Sequence, residues 1–306
     1  MQLSVSREDF VRVYEAGRPQ IVTTRLVADL ETPVSAALKL ADGQPDSFLL
    51  ESVEGGAFRG RYSAIGFKPD LIWRCRDGRA EINRQAKIDR DRFEAEELGP
   101  MESLRRLVAA CRIDDYPAGV PSIAAGLFGY LGYDMVHYME RLPDANPDTL
   151  GIPEAVLIRP TVVAVFDNIE DLVTLCTPAW PDSGLSAEAA YDRAAERLRD
   201  AVDSFGRSLP HRRERSEDAG HLPEPVSNTP KEVYLAAVEK AKAYIRAGDI
   251  FQVVPSQRFR VPFSLPSISF YRALRRLNPS PFLFHLDLGD FSVVGSSPEI
   301  MVRLRG

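Results

Sequence analysis

Cysteine is scarce in this sequence. The three that occur, Cys75, Cys111 and Cys176, are odd in number and far apart. That pattern excludes a disulfide framework and suits free thiols in a reducing compartment. Histidine is almost as rare. His137, His211, His221 and His285 include no HExxH or similarly spaced pair, so a zinc site built by the protein is not expected. No run of eighteen apolar residues occurs, and Arg7, Glu8 and Asp9 break the N-terminal stretch before it reaches export length. Neither a membrane span nor a secretory signal is expected, and the cytoplasm is the expected location. Positive charge is in deficit, with 38 Lys and Arg against 44 Asp and Glu and a net charge of -6. Such a balance repels phosphate backbones, so nucleic acid is not an expected partner. The one basic cluster, "HRRER" at 211–215, lacks interleaved aromatics and reads as a solvated linker face. Walker loops and GxSxG elbows are missing as well.

The 306 residues present suffice for about two domains. Ser6 and Asp9 form a capping-box pattern before a helix with Phe10, Val13 and Tyr14 on one face, ended by Gly17. "IVTTRLVADL" at 21–30 reads as a strand, and Thr32-Pro33 opens a helix closing near Gly43. "SFLLES" at 47–52 and "RYSAIGF" at 61–67 read as strands, and 70–84 reads as a hairpin turning at Asp77-Gly78. A helix follows near 101–112, with Leu104, Leu107 and Val108 on its face. "AAGLFGYLGYD" at 124–134 lacks GxGxxG spacing and reads as a strand whose glycines admit close backbone approach. Residues 155–180 form a long hairpin turning near Asn168, and a helix spans about 186–205.

Residues 206–230 carry charges, four prolines and few large apolar side chains, which reads as an exposed linker. The expected domains are therefore 1–205 and 231–306. Thr229, Pro230 and Glu232 predict a helix start, with Gly248 as its stop. Then come a strand "IFQVVPSQRFRV", a helix near 267–277, strands "PFLFHLDL" and "FSVVG", and a last strand "EIMVRL". An uncapped strand at a terminus leaves an open sheet edge, so the second domain is expected to be incomplete. Hairpins in succession build antiparallel sheets, and the expected fold class is α+β, antiparallel β-sheets packed together with flanking helices.

No catalytic constellation emerges from the residues alone. His285 shares a strand face with Leu283 and Asp287 and reads as structural. Two segments have the makings of a small-molecule pocket: the polar end of "LLES", with Glu51 and Ser52, and the stiff "NPSPFLF" at 278–284. Each is also compatible with plain structure.

"SFLLESVEGGAFRGRYSAIG", "GDIFQVVPSQRF", "NPSPF" and "GSSPE" in this order resemble anthranilate synthase component I, a chorismate-utilising family, from about residue 8 to 306. Pro255 departs from the family pattern, where leucine is expected, and implies an edge or bulge. The resemblance implies conversion of chorismate and ammonia to anthranilate and pyruvate in tryptophan biosynthesis. Ammonia would come from a glutamine amidotransferase subunit, component II. It implies Mg²⁺ as cofactor and feedback inhibition by L-tryptophan. The inhibitor site carries over onto Glu51, Ser52, Pro281, Phe282 and Leu283. The family's catalytic and Mg²⁺-holding residues are expected beyond residue 306, so no catalytic or metal residue is assigned, and this chain by itself is expected to be inactive. Aminodeoxychorismate synthase component I is a rival within the same chemistry. A non-catalytic amino-acid-binding module is a rival of another class.

Overall fold

The computed structural model describes residues 1–41, 43–54, 58–143, 147–210 and 223–304. The basic cluster at 211–215 and the middle of the expected linker, residues 211–222, therefore lie outside the described residues. The chain divides into two compact units, one of residues 1–211 with 267–306 and one of residues 212–266.

In the first unit, α1 (Arg7–Glu15) begins as its sequence dictates. The Ser6 side chain accepts from the Asp9 N–H, and Phe10 and Tyr14 face the core. After β1 (Gln20–Val27) and α2 (Pro33–Ala41) come β2 (Ser47–Glu51) and a small ribbon of β3 (Val53–Glu54) and β4 (Phe58–Arg59). Then follow β5 (Tyr62–Arg76), β6 (Arg79–Asn83), β7 (Glu94–Ala95), α3 (Pro100–Ala110) and β8 (Phe128–Leu131). The long hairpin is β9 (Ala155–Asp167) with β10 (Leu172–Ala179), and α4 (Ala187–Phe205) comes after it. In the second unit are β11 (Val226–Ser227), α5 (Lys231–Ala247) and β12 (Phe259–Arg260). The chain then returns to the first unit with α6 (Ser267–Leu277), β13 (Phe282–Asp287) and β14 (Ser292–Ser297).

Ten strands form one sheet whose main path runs β1-β10-β9-β5-β2-β13-β14. Every strand pairing among the described residues is antiparallel. Period-two alternation sends Leu49, Ile65, Val162, Ala164 and Leu175 to a core shared with α1, α2, α4 and Tyr271 of α6. Their neighbours Phe48, Ala64, Val163, Val165 and Cys176 go to a second core on the other face. Both faces are buried, which is why β9 reads as a nearly unbroken apolar run rather than an alternating one.

Several expectations change. "RYSAIGF" and the first arm of the 70–84 hairpin are one strand, β5, with a register shift between Pro69 and Leu71. Val108 is exposed, and α3 buries Ser103, Leu104 and Leu107 instead. Helix α5 starts at Lys231 with Pro230 as N-cap and no side-chain cap, because the Thr229 hydroxyl donates to the Asn228 side chain. Of "IFQVVPSQRFRV" only Phe259 and Arg260 are strand, and Pro255 lies in irregular chain before them. "EIMVRL" forms no strand among its described residues. Residues 267–304 join the first unit rather than following 231–266, because β13 pairs with β2. The turns follow their residues: Asp77 and Gly78 both take positive φ, 50° and 74°, as a type I′ turn requires.

Candidate functional site

The two segments singled out in the sequence are neighbours in the sheet. β2 and β13 pair antiparallel, placing Glu51 opposite Leu283 and Leu50 opposite Phe284. More than 220 residues of separation are thus closed by one strand pairing. β14 completes the ribbon, with Leu283 opposite Ser296 and Phe284 opposite Gly295. A side chain at Gly295 would put its Cβ 2.0 Å from the Phe284 ring. The glycine of "GSSPE" therefore makes room for the phenylalanine of "NPSPFLF".

Glu51 ends β2 with its side chain 5% exposed. The Tyr271 hydroxyl donates to one of its carboxylate oxygens at 2.6 Å. Arg275 donates to the other at 2.8 Å. Tyr271 and Arg275 are one turn apart on α6 and so share a face. Burial, and next the Glu51 charge, push the Tyr271 hydroxyl well above the ordinary tyrosine range, so it stays protonated and donates. The Arg275 Nε is buried without a partner among the described residues. This triad was not foreseen, although the four-residue spacing in "YRALR" was visible.

Ser52 follows at the strand end and is half-buried. Its carbonyl accepts from the Gly60 N–H at 2.7 Å. A Cβ on residue 60 would lie 2.5 Å from the Ser52 side chain, so glycine at 60 lets the returning chain close over Ser52. Pro281 and Phe282 are half-buried, whereas Leu283 is 1% exposed and belongs to the core. Ser280 is buried, and its hydroxyl donates to the Phe282 carbonyl at 3.2 Å. His285 is also buried, 2.8 Å from the Ser267 hydroxyl and edge-on to Tyr271, so it ties α6 to β13. Burial lowers its pKa.

The arrangement is a strand end with one buried carboxylate held by α6, one half-buried hydroxyl and apolar neighbours. Among the described residues, no three His, Cys, Asp or Glu gather to hold a metal, and no helix is long and apolar enough to cross a membrane. All three cysteines are buried and free.

The family model described as "chorismate binding enzyme" matches residues 67–306, and the chain belongs to that family. It is 57% identical over 300 residues to anthranilate synthase component 1 of Cereibacter sphaeroides, covering 98% of this chain and 60% of that protein. It is 40% identical over 280 residues to the protein of the same name from Thermus thermophilus, covering 92% of this chain and 56% of that one. The Pseudomonas aeruginosa protein of that name is 39% identical over 305 residues, at 98% and 60% coverage. The chain thus spans about three-fifths of the length of these relatives. The crystal structure of anthranilate synthase component I from Streptococcus pneumoniae TIGR4 superimposes with a TM-score of 0.59 at 24% identity, covering 78% of this chain and 51% of that one. This likeness establishes the fold, an α+β architecture built on antiparallel sheet.

Proposed function

We propose that this sequence belongs to the large subunit of a cytoplasmic anthranilate synthase. It would work with a glutamine amidotransferase subunit to convert chorismate and ammonia to anthranilate and pyruvate. The observation that carries the reading is the 57% identity to a protein of that name across 98% of the chain. Mg²⁺ belongs to the reading as the ion that would neutralise the substrate carboxylate. No described residues gather to hold it, so no step is assigned to it.

Within that function, the β2–β13 strand ends form the L-tryptophan inhibitor site. Ser52 would hydrogen-bond the amino acid, and Pro281, Phe282 and Leu283 would flank the indole. Each Glu51 oxygen accepts one hydrogen bond from α6, and a carboxylate has further acceptor positions for an ammonium group. The experiment is a set of L-tryptophan inhibition curves on chorismate-dependent anthranilate formation. Losing one hydrogen bond to a buried partner costs about 1–3 kcal/mol, so Ser52→Ala should weaken inhibition about ten- to hundredfold. Ser52→Phe should weaken it further, with the chorismate KM little changed. Unaltered inhibition in Ser52→Phe would remove Ser52 from the site.

A further inference from the structure

A concave site lies in the first unit, and none of the residues at the β2–β13 strand ends lines it. It is a cavity of about 830 Å³, walled by the end of β10, the exposed face of α4 and the chain after β6. Five cationic side chains line it: Arg84, Lys87, Arg159, Arg193 and Arg197. Two of these have carboxylate partners. Arg84 pairs with Glu96 at 3.0 Å, and Arg159 pairs with Asp70 at 2.7 Å. Among the described residues no carboxylate lies within ion-pair distance of Lys87, Arg193 or Arg197. The same three side chains also line a neighbouring cavity of about 540 Å³.

The sequence builds this wall locally. Arg193 and Arg197, one turn apart on α4, reach the cavity beside the buried Ala190, while Ala194 and Leu198 turn to the core. Arg193 and Arg197 are like charges one turn apart, an unfavourable pair on a helix, and Lys87 adds a third charge of the same sign. Lys87 as a residue stays exposed. Even so, desolvation by the surrounding protein, then the Arg197 charge, push its ammonium down to about 8. Burial likewise lowers the Arg197 guanidinium. An aromatic wall is present as well. The Arg159 guanidinium lies 4.2 Å over the Trp180 ring, and the Trp180 indole N–H is buried with no partner among the described residues.

Three cations around one cavity, with no carboxylate among the described residues in ion-pair distance, repel one another. Asp70, already paired with Arg159, offsets them only in part, so an anion bound among them would relieve that repulsion. We propose that this cavity binds a small polyanion, of the class of a phosphorylated metabolite, through Lys87, Arg193 and Arg197, with Trp180 as a flat wall. Its volume lies in the range of small-molecule sites, roughly 300–1,000 Å³. Glu196 and Asp200 line the adjoining cavity and would repel an extended acidic peptide.

The test is calorimetric titration of the protein with pyrophosphate and with inorganic phosphate, at fixed ionic strength set by sodium chloride. One-to-one saturable binding of pyrophosphate in the presence of chloride is expected. The double variant Arg193→Gln/Arg197→Gln should bind at least tenfold more weakly. Lys87→Arg, which keeps the charge, should bind within a few-fold of wild type, and Arg105→Gln, an exposed site on α3 outside both cavities, should not differ. Thermal unfolding of each variant checks that the fold persists. Absence of saturable binding would overturn the proposal. So would an equal loss in Arg105→Gln, or tighter binding of a short polyglutamate peptide than of pyrophosphate. None of these outcomes bears on tryptophan inhibition.

Discussion

Glu51 is buried on a sheet that is otherwise apolar at that position, and it is held there by Tyr271 and Arg275. An ionised carboxylate out of water persists only when paired and hydrogen-bonded. Removing it strands the Arg275 guanidinium, so Glu51→Ala should cost about 3 kcal/mol in urea unfolding. Tyr271→Phe should cost about 1.5–3 kcal/mol, the range for a hydrogen bond to a charged group. The combined variant should cost less than the sum, and strict additivity would show that the three groups do not act together. His285 makes a second prediction at this scale. Its folded pKa is depressed by burial, with Asp287 opposing. The unfolded chain therefore binds the proton first as pH falls below the ordinary histidine value of about 6.5. Stability should be fully present above that value and decline below it, levelling off under the folded pKa. His285→Gln should lose this part of the pH dependence, and an unchanged slope between pH 6.5 and 5 would contradict it. The sequence made Glu51 and Ser52 conspicuous because charge and hydroxyl closed an apolar run. It did not reveal Tyr271 and Arg275 as partners, because local periodicity carries no information on a contact 220 residues away.

At the level of elements, glycine spacing in "AAGLFGYLGYD" was legible as close backbone approach, and β8 beside β9 realises it. A Cβ on Gly129 would lie 1.9 Å from the Val156 carbonyl oxygen. Backbone in mid-sheet has little room to move, so Gly129→Ala should cost beyond about 3 kcal/mol. Gly66 sits against a side chain instead, 2.2 Å from the Phe48 ring. That ring stacks on Phe128 with centroids 4.3 Å apart and can shift at the expense of the stack. Gly66→Ala should then cost about 1–3 kcal/mol. Urea unfolding of both variants checks the order, and a milder effect at 129 than at 66 would reverse the argument. The elements that sequence reading missed have identifiable causes. The strand expected at 61–67 and the hairpin expected at 70–84 are read as separate, yet Lys68 between them takes φ 53° inside a continuous strand, with the register shifting between Pro69 and Leu71. A bulge carries the same residues as a turn but keeps both arms pairing with β9. "IFQVVPSQRFRV" has strand composition but only a two-residue partner, Val226–Ser227, so pairing stops at Phe259 and Arg260. Propensity proposes a strand, and a ladder partner decides its length.

For the whole molecule, the sequence division near 206–230 marked a compositional break, but it did not show where the chain goes next. The second compact unit, 212–266, leaves and re-enters the first. The return is specified by tertiary contacts: five residue pairs between β13 and β2 from Leu283↔Glu51 to Asp287↔Ser47, Tyr271 in the main core, and Arg90 reaching the β13–β14 turn. Arg90 donates to the Leu288 carbonyl at 2.6 Å and pairs with Asp46 at 2.7 Å. These groups lie on both sides of residues 212–266, so covalent continuity through that segment should not be needed to hold the first unit together. Co-expressed as separate chains, residues 1–210 and 267–304 should copurify through a tag on the longer piece. The shorter piece contributes Tyr271, Leu283 and Leu286 to the cores, and burying each large side chain is worth about 1.5–3 kcal/mol. Glu51→Ala in the longer piece, or Leu283→Asp in the shorter, should release it, because each leaves an uncompensated charge in the β2–β13 seam. Recovery of the longer piece alone from the wild-type pair would show that residues 212–266 are required to seat β13 beside β2.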